Sequence, residues 1–108
     1  MNGNYIFDSE GFLLPQRLLK CELAYFYGKT PRHFRRELEN ILYVKPGRYY
    51  TKAEVAKIMQ AFDLISREEV ELAQERIKAY LADERERNKK RFLKHKQRID
   101  YEKENSNT

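Results

Sequence analysis

Residues 19–51, LKCELAYFYGKTPRHFRRELENILYVKPGRYYT, decide the reading of this chain. Two amphipathic segments flank Gly28, and a basic and aromatic stretch follows the second. In the first segment Leu18, Leu19, Leu23, Ala24 and Tyr27 recur at helical spacing on one face, and Gly28 suits the left-handed backbone that ends a helix. Thr30-Pro31 starts the next helix, since threonine accepts from free amides and proline fits the first helical position. Phe34, Leu38, Ile41 and Leu42 form its apolar stripe. At about 100° per residue, Arg32 and Arg36 fall on the opposite side, with Glu39 and Asn40 near them and Arg35 flanking. Ala24 and Gly28 stand where two helices turn and approach closely, with Leu23, Phe34 and Leu38 as the contacts between them. This is the layout of a helix-turn-helix.

Outward from this stretch, Tyr43-Val44-Lys45 and Arg48-Tyr49-Tyr50 lie either side of Pro46-Gly47 and predict a minimal β-wing. Thr51-Lys52-Ala53-Glu54 is a capping box, followed by Val55, Ile58, Met59 and Phe62 along one helical face. Ser66-Arg67-Glu68-Glu69 is a second capping box, opening a helix with Val70, Ala73, Ile77, Tyr80 and Leu81 as its early stripe. Beyond Asp83 the stripe lapses while good helix formers continue, with Asp83 and Arg87 placed as an i, i+4 pair. Phe92, Leu93 and Ile99 resume a thin apolar seam, so this helix is expected to project past the globular part. On the N-terminal side, Tyr5-Ile6-Phe7 and Phe12-Leu13-Leu14 around Asp8-Ser9-Glu10-Gly11 predict a small hairpin. The expected fold is mainly α: a small winged-helix-like helix-turn-helix domain with its hairpin over residues 1–64, a long charged C-terminal helix over 65–104, and a disordered tail at 105–108.

A chain of 108 residues is one domain with at most an appendage. Its net charge of +5 and pI near 9.3 favour a polyanionic partner. The distribution sharpens this: residues 17–52 hold nine Lys or Arg against Glu22, Glu37 and Glu39, residues 53–84 are net acidic, and residues 85–98 are basic again. The single cysteine, Cys21, has no disulfide or metal-ligand companion and reads as a small apolar helix residue. Asn2-Gly3-Asn4 stands where a signal peptide would be positively charged, and no stretch approaches the roughly 18 apolar residues of a membrane span. A cytoplasmic protein without membrane association is expected. His33 and His95 belong to no metal-ligand pattern, and the four glycines are scattered rather than gathered in a phosphate loop. No catalytic residue, metal or cofactor is expected, and neither is enzymatic activity.

The order of helix, turn, arginine-bearing helix, Arg48-Tyr49-Tyr50-Thr51 and then a Glu54-Val55 helix resembles the winged helix-turn-helix of MerR-type regulators and phage excisionases. Glu22-Leu23-Ala24, Arg32 with Arg35 and Arg36, and Arg48-Tyr49-Tyr50 carry the resemblance, which covers residues 18–62. The chain is also similar to small helix-turn-helix proteins of gut-anaerobe mobile elements. The resemblance implies binding of double-stranded DNA by a transcription regulator or recombination accessory factor. Arg32 and Arg36, with His33 and Asn40, would face the major groove, flanked by Arg35. Lys29 and Thr30 would hold phosphate at the helix start, and Arg48 and Tyr49 would touch the adjacent backbone or minor groove. A MerR-type dimerisation helix would correspond to the helix from Ser66, making a homodimer through the C-terminal helix a candidate assembly. Lys29 departs from the apolar residue usual at this turn, Leu19 replaces a Ser or Thr cap, and no effector-binding domain follows. Two other readings stay open. Tyr25, Phe26, Tyr43, Tyr49 and Tyr50 suit stacking on single-stranded bases, and the basic face and weak seam suit a helical adaptor that binds an acidic protein rather than DNA.

Overall fold

A computed structural model describes the backbone of residues 5–106 and the side chains of residues 5–93. The elements run β1 (Leu18–Leu19), α1 (Lys20–Phe26), α2 (Pro31–Leu38), β2 (Tyr49–Tyr50), α3 (Lys52–Ala61) and α4 (Arg67–Ser106), so the described chain is mainly helical with one small sheet and a long C-terminal helix. It divides into two units, Met1–Ile77 and Lys78–Thr108.

In the first unit, the two leucines expected to begin the first helix are instead extended. β1 pairs antiparallel with β2, Leu18 opposite Tyr50 and Leu19 opposite Tyr49. The alternation of a strand explains the choice: Leu18 and Tyr50 are each 2% exposed on the inner face, while Tyr49 points outward. Burial pushes the Tyr50 hydroxyl up to about 12. Helix α1 therefore starts at Lys20, and the Glu22 carboxylate accepts from the Leu19 N–H at 2.9 Å, filling the role that a Ser or Thr cap would otherwise share.

The same pairing removes the expected wing between residues 43–45 and 48–50. Val44 is buried instead, the Lys20 N–H donates to the Arg48 carbonyl at 2.8 Å, and the Lys20 ammonium donates to the Lys45 carbonyl. These bonds tie the loop before β2 back to the start of α1.

Helix α1 ends where glycine permits it. Gly28 has φ +71°, its N–H donates to the Tyr25 carbonyl at 2.9 Å, and the Lys29 N–H reaches Ala24 at 3.0 Å. This pair of bonds is a Schellman ending. Thr30 then caps α2 by accepting from the His33 N–H at 3.3 Å, with Pro31 in the first turn. The apolar stripe was expected to carry this helix through Leu42, but it stops at Leu38. The amides of Ile41 and Leu42 both bond back to the Leu38 carbonyl, at 2.8 and 3.0 Å, and the chain turns away toward β2. Asn40 thus lies in the turn beyond the helix.

Helix α3 is fixed by its capping box, in which the Thr51 hydroxyl accepts from the Glu54 N–H at 3.2 Å and the Glu54 carboxylate accepts from the Thr51 N–H at 2.8 Å. Its inner face buries Val55, Ile58 and Met59. Phe62, just past its end, joins Tyr27 and Phe34 in an aromatic cluster with ring centroids 5.3–5.5 Å apart. The Tyr27 hydroxyl also donates to the Asp63 carbonyl at 2.9 Å.

The core continues past residue 64. Ile65 is fully buried, Ser66 and Glu69 form the second capping box, and Val70, Ala73 and Ile77 are 3–4% exposed. The N-terminal runs form a small hairpin-like loop, with Phe7 bridged to Leu13 and the Leu14 N–H on the Ile6 carbonyl at 2.9 Å. It docks on the α3–α4 connection through Leu13 N–H to the Ile65 carbonyl at 2.8 Å and Arg67 N–H to the Gly11 carbonyl at 2.9 Å. The Arg67 guanidinium covers the Phe7 ring at 4.2 Å.

In the second unit, no side chain from residue 78 to residue 93 is buried, and Phe92 and Leu93 are 65% and 47% exposed. Asp83 and Arg87 pair across one turn at 3.9 Å. The helix includes Asn105 and Ser106, which were expected to be tail. The side chains of His95 and Ile99, and residues 107–108, lie outside the described residues. Among the described residues, no helix is long and apolar enough to cross a membrane.

Candidate nucleic-acid interface

Helix α2 is a two-turn element with two fully buried anchors, Phe34 and Leu38, and every other residue of interest faces outward. Arg32, His33, Arg35 and Arg36 are all exposed. Their partners differ. Arg35 makes a loose pair with Glu39 at 3.8 Å, and His33 Nε2 lies 3.0 Å from Glu37 Oε1. The other Glu37 oxygen takes the Lys29 ammonium, which also lies 5.6 Å from the Phe62 ring centroid. The Lys29 hydrogen bond first, and the nearby positive charge of Lys29 and His33 after it, hold the Glu37 carboxyl below its ordinary range. Lys29 is therefore engaged in closing the turn between α1 and α2 rather than standing open for phosphate. Among the described residues, Arg32 and Arg36 have no hydrogen-bond or ion-pair partner.

The structure separates the other sequence-derived candidates from this ridge by element. Thr30 is spent as a cap through its hydroxyl oxygen, and Asn40 sits in the turn after the helix. Arg48 and Tyr49 are exposed beside the small sheet. Burial, and after it the charge of Arg35, hold the Lys20 ammonium below the ordinary lysine range against the opposing charge of Glu54. Of the five aromatic residues suited to base stacking, Phe26 and Tyr50 are buried in the core, whereas Tyr43 and Tyr49 are 78% and 44% exposed.

Sequence reasoning missed Arg17. Its guanidinium lies over the Tyr49 ring, 3.7 Å from the centroid. No local pattern marks it: only once residues 18–19 are paired with Tyr49–Tyr50 does strand alternation put Arg17 and Leu19 on the outer face and Leu18 on the inner one. A cleft of about 440 Å³ lies elsewhere, lined by Tyr25, Tyr27, Leu72, Ala73, Glu69 and Arg76 among others. Its opposed charges do not single out a polyanion. Among the described residues, no group of three or more His, Cys, Asp or Glu side chains is placed to hold a metal.

Comparison with protein-family models, curated proteins and solved structures returns no match.

Proposed function

We propose that the protein binds duplex DNA as a small helix-turn-helix domain with α2 as its recognition helix, acting in the cytoplasm as a transcription regulator or recombination accessory factor. The observation that carries this reading is the pair of exposed guanidinium groups of Arg32 and Arg36, without a partner among the described residues, on a helix anchored by Phe34 and Leu38. One helical turn separates them, and arginine offers guanine a bidentate contact. Eight residues give a helix about 12 Å long, comparable with the width of the major groove. Two neighbouring features support the docking. A four-residue connection containing Gly28 joins α1 to α2, as a helix-turn-helix requires. The loop before β2 and β2 itself offer Arg48 and Tyr49 in the place of a wing.

A homodimer joined through the exposed Phe92 and Leu93 of α4 would supply a second recognition helix for a paired half-site. Selection of bound duplexes from a random library, followed by titration of the selected and a random duplex at low and high salt, tests the reading. Steep salt dependence together with preference for the selected duplex is the expected result. Weak, uniform retention of both duplexes would leave the adaptor reading in its place.

A further inference from the structure

The proposed interface leaves out a basic residue that the sheet places against an aromatic ring. In the antiparallel register Leu18 opposite Tyr50 and Leu19 opposite Tyr49, Arg17 falls diagonal to Tyr49 on the outer face. The 3.7 Å separation is well inside the range of about 6 Å over which a guanidinium is held by an aromatic face. Both partners remain accessible, with Arg17 exposed and Tyr49 44% exposed. Among the described residues, no carboxylate pairs with Arg17.

A guanidinium laid flat on a ring uses its face and leaves its N–H edge for an anion. Stacking also restricts a side chain that would otherwise lose much rotamer freedom on binding.

Resting on the DNA-binding reading above, we propose that Arg17 is a further contact to a backbone phosphodiester of duplex DNA, and that Tyr49 is its positioning residue. The guanidinium N–H groups donate to the phosphate oxygens in a charge-assisted contact that carries no base information.

The test is a fluorescence-anisotropy titration of the full chain against a labelled random-sequence duplex and a selected duplex over a salt series. Arg17→Ala and Arg17→Gln should each weaken binding to both duplexes by the same factor and reduce the slope of log affinity against log salt by about 0.9. Tyr49→Phe keeps the ring and should weaken binding less than Tyr49→Ala does. Tyr49→Ala should weaken binding in the parent and do so less in the Arg17→Ala background, because part of its effect passes through the arginine. Unchanged melting curves for the Arg17 variants would exclude a folding effect. If the parent binds duplex and both Arg17 variants keep its affinity and salt slope, the inference is overturned while the DNA-binding reading stands. If the parent binds neither duplex, that reading falls and this contact falls with it.

Discussion

Helix α2 and the segment of α4 beyond Ile77 are both rich in basic residues, but they hold those residues in different ways. In α2, two of eight side chains are fully buried, and they fix which way the others point. From residue 78 to residue 93, no side chain is buried at all. A helix clamped by Phe34 and Leu38 has a defined outer face on which Arg32 and Arg36 keep their bearing. Tyr80, Leu81 and Glu84 are half-buried, but from residue 85 to residue 93 every side chain is exposed, so no packed face fixes their bearing and their charges act through their sum. On the proposed DNA-binding reading, directional recognition would belong to the shorter helix, and any contribution of the longer one should be electrostatic and indifferent to sequence.

The largest expected effect separates the two parts of α4. A chain ending at residue 64 loses Ile65, Val70, Ala73 and Ile77 from the core, together with the hairpin's bonds to Ile65 and Arg67. It should show no cooperative thermal transition by circular dichroism. A chain ending at residue 83 keeps all of these groups and should melt cooperatively. A folded shorter fragment would break the comparison by showing that the first turns of α4 are as dispensable as the rest.

Next in size is a pair of phenylalanines. Phe34 is fully buried and stacked among Tyr27 and Phe62, so Phe34→Ala should cost about 3–5 kcal/mol in chemical denaturation. Phe92 is 65% exposed, and Phe92→Ala should stay within about 0.5 kcal/mol. Similar losses at both positions would mean that the second unit buries a face of its own.

The same contrast should appear in binding. Arg32→Ala or Arg36→Ala should cost about 1–3 kcal/mol on a selected duplex and much less on a random one. Lys90→Ala, on the exposed run of α4, should weaken both duplexes slightly and equally. Equal losses on both duplexes for the α2 variants would reduce α2 to a phosphate-binding face.

These contrasts also mark what sequence could and could not reveal. The starts of α2, α3 and α4 were legible because each joins a cap to an apolar period within a few residues: Thr30 with Pro31, Thr51 with Glu54, Ser66 with Glu69. Leu18 and Leu19 were misread because two adjacent leucines satisfy helix and strand alike. What decides between them is Tyr49–Tyr50, about thirty residues away, and no local pattern carries that partner. The wing was hidden for the same reason, since the strand that pairs with Tyr49 and Tyr50 is the leucine pair that also fits a helix. The end of α2 was hidden because Ile41 and Leu42 continue the apolar period after the backbone has turned. In the candidate site, the outward position of Arg32 and Arg36 followed from helical geometry alone. The occupation of Lys29 by Glu37 did not, because that contact crosses the turn between two helices. Arg17 on Tyr49 was out of reach without the strand pairing.

The smallest expected effect concerns Glu37, the acid that divides the basic surface into occupied and open cations. Its carboxyl is held below the ordinary glutamate range by Lys29 first and His33 after it. A carboxyl with a depressed folded-state value contributes stability that is fully present above its unfolded value and is lost as the pH falls through the folded one. Parent protein should therefore lose a small increment of stability on acidification to below the usual glutamate range, and Glu37→Gln should lack that increment at neutral pH and be insensitive to its loss. Denaturation midpoints of the two proteins should differ near neutrality and converge in acid. Binding supplies a second readout, since Glu37→Gln releases Lys29 and should steepen the salt dependence by at most about 0.9 in the logarithmic slope, without changing the preference between duplexes. Midpoints that stay equally far apart down to acid pH would show that Glu37 acts through packing rather than charge, and Lys29 would then have to be counted with Arg32 and Arg36 among the open cations.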